Sequence, residues 1–221
     1  MQLSEAIRTT GSARSFTAES VDDALVYELL ADARFAPSGG NRQPWRVAVI
    51  KDPAQRQLIG NAMRPVWDEY VSQRATGATP FSVYNTGLSA PPLHRPGSTP
   101  SDLIDGIVAV PVVLVVAVDL TMVSMMDHEL DRVPITGGGS VYPFCWNVLL
   151  AARSRGLGGV MTTFLSRAER DIAESLGLPE RYALAATIFL GHAVHQPTRL
   201  KRYAVEEFAT VDRFDGIQFR G

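Results

Sequence analysis

Residues 36–45 read Ala-Pro-Ser-Gly-Gly-Asn-Arg-Gln-Pro-Trp and gather neutral side chains that could bind a polar ligand. Pro37 keeps the residue before it out of the helical region, and the glycines after Ser38 let the backbone turn. The Ser38 hydroxyl and the amides of Asn41 and Gln43 are uncharged and offer both donors and acceptors. This set suits a heterocycle with alternating N–H and C=O groups. Side-chain capping of a helix-to-strand turn accounts for the same residues.

Basic residues cluster near both ends of the chain. Ser12 and Arg14 stand in a loop of small residues, where an anion can approach the backbone, a hydroxyl and a guanidinium. Lys201 and Arg202 form a second cluster, which is unusual in a chain of net charge −2. Solvation of surface cations explains each cluster separately. The alternative is that both clusters meet around one phosphate.

A glycine-rich run, Gly-Leu-Gly-Gly, occupies residues 156–159. It does not match a dinucleotide-binding fingerprint, because Met161 stands where the third glycine would be and a helical pattern precedes the run. We expect a loop in which Gly158 and Gly159 allow the backbone to lie against a flat ligand.

Metal binding is not indicated by the histidines or by the single cysteine. His128 lies among acids but has no second histidine at ligand spacing, and His192 and His195 have no acidic or cysteine partner nearby in sequence. Cys145 is expected to be a small buried hydrophobe.

Composition limits the class of protein. The chain has 221 residues, 46% of them hydrophobic, which is enough for a substantial core. A net charge of −2 argues against a nucleic-acid or anionic-membrane surface. One cysteine permits no intrachain disulfide, no signal peptide is evident, and the apolar run at residues 107–118 is too short to span a membrane. We therefore expect a cytoplasmic protein.

Hydrophobic periodicity predicts the elements that position these residues. Ser20 is expected to cap a helix, with Asp23 as its capping-box partner, and Pro65 to kink a helix that starts at Pro53. The predicted helices are 1–8, 20–33, 53–70, 137–155 and 166–177, and the predicted strands are 46–51, 110–118, 183–190 and 205–211. The strand at 110–118 is apolar on both faces and should be central in a sheet.

Two segments match no regular pattern. Residues 76–102 are rich in proline, glycine and serine and predict a lid or a disordered insertion. Residues 119–134 combine acids with three methionines and predict a solvated acidic helix with an apolar underside.

Four segments in order resemble the FMN-dependent nitroreductase family over nearly the whole chain. They are the Ser-x-Arg loop, the Pro-Ser-x-x-Asn-x-Gln-Pro-Trp stretch, which is the most specific, the Gly-Leu-Gly run and the C-terminal Lys-Arg pair. The resemblance implies a single α+β domain over residues 1–221, with a mixed, mainly antiparallel sheet flanked by helices. It also implies lid-like insertions near 76–102 and 119–134 and an intertwined homodimer, in which the C-terminal arm at 199–221 joins the partner's sheet.

The resemblance also assigns roles by position. FMN would lie at the dimer interface, with its phosphate and ribityl chain on the two basic clusters. The polar edge of the flavin would meet the 36–45 stretch, its ring would lie against the Gly-Leu-Gly run, and Gly138 to Ser140 would face the partner's flavin. The residues so assigned are Ser12, Arg14, Pro37, Ser38, Gly39, Asn41, Gln43, Gly139, Ser140, Gly158, Gly159, Lys201 and Arg202.

One departure from the family pattern concerns charge. The family often has two basic residues just before the serine of the N-terminal motif, where this chain has Thr10 and Gly11. The nearest arginine, Arg8, is displaced. Phosphate binding is then weaker, or Arg8 reaches the phosphate from another angle.

The function implied is ping-pong transfer of a hydride from NAD(P)H through FMN to a small acceptor, such as a nitroaromatic, a quinone or an activated alkene. Two alternatives stay open. The chain is a flavin-binding or flavin-storage protein with little turnover, or it catalyses another FMN reaction such as reductive dehalogenation or flavin breakdown.

Overall fold

The computed structural model describes residues 1–84 and 101–221, so the middle of the predicted lid at 76–102 lies outside the described residues. The helices are α1 (Leu3–Thr9), α2 (Asp23–Ala33), α3 (Pro53–Ala75), α4 (Asp102–Asp105), α5 (Tyr142–Ser154), α6 (Phe164–Arg167) and α7 (Glu169–Ile172). The strands are β1 (Trp45–Val49), β2 (Val112–Asp119), β3 (Gly158–Thr162) and β4 (Tyr182–Gly191).

The four strands form one sheet in the order β1-β2-β4-β3, and each neighbouring pair is antiparallel. A parallel bridge between Ser12 and Gly159 extends the sheet beyond β3. Residues Val112 to Val118 are buried throughout, which confirms the central position expected for this apolar segment. The prediction of an α+β fold with a mainly antiparallel sheet is confirmed.

A hydrophobic core lies on each face of the sheet. On one face α2 and α5 pack over β2 and β4, and the ring of Trp45 stacks on Phe144 with centroids 4.9 Å apart. On the other face α3 and α6 cover the strands, with Ile59 and Met63 fully buried. α3 continues past Pro65 and past the predicted end at residue 70 to Ala75, and this extension carries Arg74.

The predicted helix starts are wrong at three places. α2 begins at Asp23 after an extended Asp22, and Ser20 does not cap it, because the intervening Val21 packs on the core. Residues Thr136–Ser140 form a 3₁₀ turn before α5. The predicted helix at 166–177 is two short helices, since Glu169 accepts a hydrogen bond from the Leu184 backbone N–H at 2.5 Å and does not cap a helix at Ser166.

Two irregular segments also differ from the predictions. The predicted acidic helix at 119–134 is absent: Leu120–Met122 form a 3₁₀ turn, and Asp127 turns its carboxylate inward. The predicted strand at 205–211 begins instead as a 3₁₀ turn, whose Glu207 side chain accepts from the Ala204 N–H at 2.8 Å. The chain then closes a small hairpin through a bridge between Thr210 and Gln218, which leaves Phe214 fully exposed.

Candidate functional site

The turn at residues 38–43, called here the amide turn, has an unusual backbone. Gly40, Asn41 and Gln43 have φ angles of 61°, 52° and 50°. Positive φ is uncommon outside glycine and is least expected at Gln43, so this turn stores strain of the kind found at functional sites. The Ser38 hydroxyl holds the turn closed by accepting from the Gln43 N–H at 2.9 Å.

A hydrogen bond joins the amide turn to Ser140, which belongs to another predicted site segment of the same chain. The Gly39 N–H donates to the buried hydroxyl of Ser140 at 3.1 Å. Asn41 and Gln43 are exposed and touch only through long contacts of 3.4 and 3.5 Å from the Gln43 amide. Most of their hydrogen-bonding capacity is therefore directed to solvent, and Pro37 beside them is exposed as well.

An apolar cavity of about 680 Å³ opens beside Ser140. Gly138 is required to be small there, because a Cβ would lie 2.9 Å from the Tyr142 ring, whereas a Cβ on Gly139 would meet nothing within 4 Å. The lining residues include Leu120, Val123, Met125, Pro134, Ile135, Gly137, Tyr142 and Ala185.

Asp127 fixes one wall of this apolar cavity. Its buried carboxylate accepts from the Thr136 hydroxyl at 2.5 Å, the Ile135 N–H at 2.9 Å and the Arg132 guanidinium at 2.6 Å. These bonds, that of Thr136 above all, hold the pKa of the Asp127 carboxyl well below its ordinary value.

A second cavity, of about 400 Å³, lies on the opposite core face and is called here the aromatic cavity. It is lined by Arg14, Trp67, Tyr70, Arg74, Ser101, Leu103, Ile104, Met161, Thr162, Thr163 and Phe164. Arg14 thus reaches it from the N-terminal loop and Arg74 from the end of α3. In the described part of the chain, no acid forms an ion pair with either guanidinium.

Three rings build the wall of the aromatic cavity. Tyr70 stacks on Trp67 at 5.8 Å, and Phe164 stands edge-on to both, at 5.8 Å from Trp67 and 5.5 Å from Tyr70. Thr162 adds a buried hydroxyl that has no hydrogen-bond partner among the described residues. An unpaired buried hydroxyl is costly, so its position in the cavity wall points to a ligand that would bond to it.

The structure corrects the interpretation of the Gly-Leu-Gly run. Gly158 and Gly159 lie in β3 and are buried, so they do not form a loop open to a flat ligand. A Cβ on Gly158 would lie 2.7 Å from Ala193, and one on Gly159 would lie 2.5 Å from Leu190. Their smallness has a packing reason, and the residues that reach the aromatic cavity are those just after them, Met161 to Phe164.

The basic clusters come together only in part. Ser12 is exposed at the sheet edge, two residues before Arg14. Lys201 and Arg202 are exposed and directly follow Leu200, whose side chain would lie 2.9 Å from a Cβ on Gly11. The C-terminal cations therefore begin beside the N-terminal loop, while Arg14 faces the aromatic cavity.

Within residues 1–84 and 101–221, no group of three His, Cys, Asp or Glu side chains is placed to hold a metal ion. No helix in these ranges has the length and apolarity needed to cross a membrane.

Comparison with known proteins identifies the family of this chain. A sequence model described as "Nitroreductase family" matches residues 7–192. The chain is 24% identical to a nitrobenzene nitroreductase of Ectopseudomonas oleovorans, over 94% of this chain and 96% of that one. It is 28% identical to a 5,6-dimethylbenzimidazole synthase of Rhodospirillum rubrum, over 80% of this chain and 75% of that one.

The fold is shared with a solved structure as well. A Desulfovibrio desulfuricans protein, described as a nitroreductase in complex with FMN, superimposes with a TM-score of 0.69. The alignment covers 97% of this chain and 98% of the other, at 22% sequence identity.

Sequence reasoning missed most of the aromatic cavity. The predicted helix at 53–70 contains Trp67 and Tyr70 without a site role and ends before Arg74, and Phe164 has no predicted role. A signal was present in the polar pair Thr162-Thr163, which ends a buried strand and begins the following loop, a place where binding residues are common.

We expect Gly159→Ala to destabilise the protein by about 1–3 kcal/mol, because its Cβ would overlap Leu190, Leu149 and a backbone oxygen. The matched control is Gly139→Ala, where the Cβ has open space and the change should stay within about 0.5 kcal/mol. Urea unfolding measures both. Equal stability of the two variants would contradict the packing reason given for Gly159.

We expect Asp127→Asn to lower the thermal midpoint at neutral pH. The folded state lowers the pKa of Asp127, so the carboxylate stabilises the fold above its ordinary pKa of about 3.9 and loses that effect as the pH falls towards the folded value. The difference in midpoint between wild type and variant should therefore shrink below about pH 4. Parallel thermal melts would contradict this role of the Asp127 carboxylate if the difference in midpoint did not change with pH.

Proposed function

Because the chain belongs to the nitroreductase family, we propose that it is an FMN-dependent oxidoreductase that uses NAD(P)H and a small electron acceptor. The single observation that carries the proposal is the aromatic cavity, with its two arginines and its unpartnered buried hydroxyl. When bound, FMN would supply the chemistry, taking a hydride from NAD(P)H and passing electrons to a nitroaromatic, a quinone or an activated alkene.

The residues of the cavity fit such a group. The faces of Tyr70 and Trp67 and the edge of Phe164 suit a flat ring system. The Thr162 hydroxyl offers a hydrogen bond to a polar edge. Arg14 and Arg74 place two positive charges on a wall that is otherwise largely apolar, where they would favour negative charge that develops in the cavity.

The amide turn is not part of the aromatic cavity of its own chain. If Asn41 and Gln43 contact the polar edge of a flavin, a second copy of the chain must present them. On the flavin contact that the family resemblance implies, we propose a homodimer in which each cavity is completed by the partner's amide turn. The exposed side chains of Tyr27 in α2 and Phe35 just after it provide apolar surface for a partner.

The edge strand β1, which pairs only with β2 among the described strands, supports exchange of the C-terminal arm. Backbone bonds from Ile50 to Val113 and from Asp119 to Pro44 identify the hydrogen-bonded pairs of β1 and β2. The alternation of an antiparallel ladder then directs the N–H and C=O groups of Val47 outward, at the free edge of β1. The partner's arm would bond there.

The visible absorption spectrum tests the proposed function. Purified protein, loaded with FMN if necessary, should show a bound-flavin spectrum, bleach rapidly with NAD(P)H without oxygen, and recover its colour with a quinone or nitroaromatic. Failure to bind flavin would overturn the proposal. Retained colour with NADPH and NADH would instead favour a flavin-storage protein.

A second candidate function is a different flavin reaction, such as breakdown of the flavin itself. It is favoured by the similarity to a protein named 5,6-dimethylbenzimidazole synthase. Product analysis after reduction and exposure to oxygen separates the two: intact flavin and reduced acceptor support the proposed function, and fragmented flavin supports the alternative.

Truncation after Arg202 tests the arm. It removes apolar side chains that are exposed in the single chain, among them Tyr203, Phe208, Phe214 and Ile217. If these side chains pack on a partner, the truncated protein should be aggregated or free of flavin. Size-exclusion chromatography with light scattering would contradict arm exchange if it showed a soluble, FMN-loaded monomer.

A further inference from the structure

The N-terminal motif lacks two basic side chains, and the structure shows why position 11 cannot hold one. A Cβ on Gly11 would lie 2.4 Å from the Pro197 carbonyl oxygen and 2.9 Å from Leu200. Thr10, the other position, uses its hydroxyl to donate to the Ala6 carbonyl at 2.7 Å. A phosphate near this loop would need its cations from elsewhere in the chain.

Arg8 does not supply the missing charge. It lies in α1, where Ala6 is the buried residue that faces the body of the protein. Two residues along a helix correspond to a rotation of about 200°, so Arg8 projects from the opposite side of α1, where it is exposed.

Arg153, unlike Arg8, lies beside residues 9–11. From the last turn of α5, its Nε donates to the Thr9 carbonyl at 3.3 Å, directly beside Thr10. The side chain is half-buried, and no acid among the described residues pairs with its guanidinium. The neighbouring Arg155, in contrast, is committed to Asp32 at 2.8 Å and Glu28 at 3.6 Å. A half-buried guanidinium without an anion has unused binding capacity.

The segment that leads into the C-terminal cations packs against the same loop. Gln196 donates its amide to the Gly11 carbonyl at 3.0 Å, and Leu200 packs against Gly11. Lys201 and Arg202 follow at once, and neither forms an ion pair within the described ranges. One cation, Arg153, therefore touches this loop directly, and two more directly follow Leu200, which packs against Gly11, in a chain whose net charge is −2.

We propose that Arg153, together with Lys201 and Arg202, binds a phosphate monoester at residues 9–11, and that this is the phosphate of FMN. The identity of the ligand rests on the proposed function. The phosphate carries close to two negative charges at neutral pH, which one exposed arginine would neutralise poorly. Arg14, five residues after Thr9, is then left to face the aromatic cavity, so the ligand extends along the loop between the two sites.

Flavin titrations test this assignment. FMN and riboflavin differ only in the phosphate, so Arg153→Gln should weaken FMN about 10-fold or more and leave riboflavin within about 2-fold of wild type, measured by quenching of flavin fluorescence. Arg153→Lys keeps the charge but not the planar fork and should recover part of the loss. The matched control is Arg155→Gln, which removes a neighbouring arginine and should not change the ratio of the two affinities.

The outcomes separate this inference from the proposed function. If the wild type binds FMN but Arg153→Gln weakens both flavins equally, or neither, the assignment of Arg153 is overturned and the proposed function stands. If the wild type binds no flavin, both are overturned. The assignment is supported if the affinity for FMN relative to riboflavin falls for Arg153→Gln and not for Arg155→Gln. Arg153→Lys should give a value between those of Arg153→Gln and wild type.

Discussion

The close contact between the N-terminal loop and β3 determines where most of the candidate site residues lie. The Ala13 N–H donates to the Gly159 carbonyl at 3.0 Å, and a Cβ on Gly158 would lie 2.9 Å from Ala13. A side chain at position 158 would prevent the loop from approaching the strand this closely, whereas Gly159 leaves room for Leu190 and Leu149. The approach aligns Ser12 with the sheet edge, turns Arg14 towards the aromatic cavity, and brings the loop against the C-terminal segment. Gly158 thus acts on the site indirectly, through the loop position that it permits.

The second constraint is the left-handed backbone of the amide turn. Gly40 adopts it at little cost, but Asn41 and Gln43 do not, so the surrounding bonds must hold them. Ser38 and Ser140 provide these bonds from opposite sides of the turn. The result is a rigid presentation of two amides to solvent, which reduces the entropy lost when a ligand or a partner chain orders them.

Sequence patterns predicted those helices and strands whose formation depends mainly on burying apolar side chains. The central strand followed from an unbroken apolar run, and α3 and α5 from spacing and proline positions. The sequence did not predict the ends of elements, because polar side chains with distant partners set them. Glu169 accepts a hydrogen bond from the backbone of Leu184 in β4, and Asp127 accepts hydrogen bonds from donors in residues 132–136. The aromatic cavity was missed for a related reason: Tyr70 and Phe164 are far apart in sequence, and only the packing of α3 against α6 brings their rings together.

The packing at Gly11 couples two parts of the chain that are nearly the whole sequence apart. No larger side chain can enter position 11 unless the backbone at Pro197 and the side chain of Leu200 move as well. A basic residue is therefore not accessible at this position by a single substitution, whatever charge it would contribute. Where this loop geometry holds, substitutions that replace the charge missing at position 11 have to occur at other positions, such as those in α5 or the C-terminal segment.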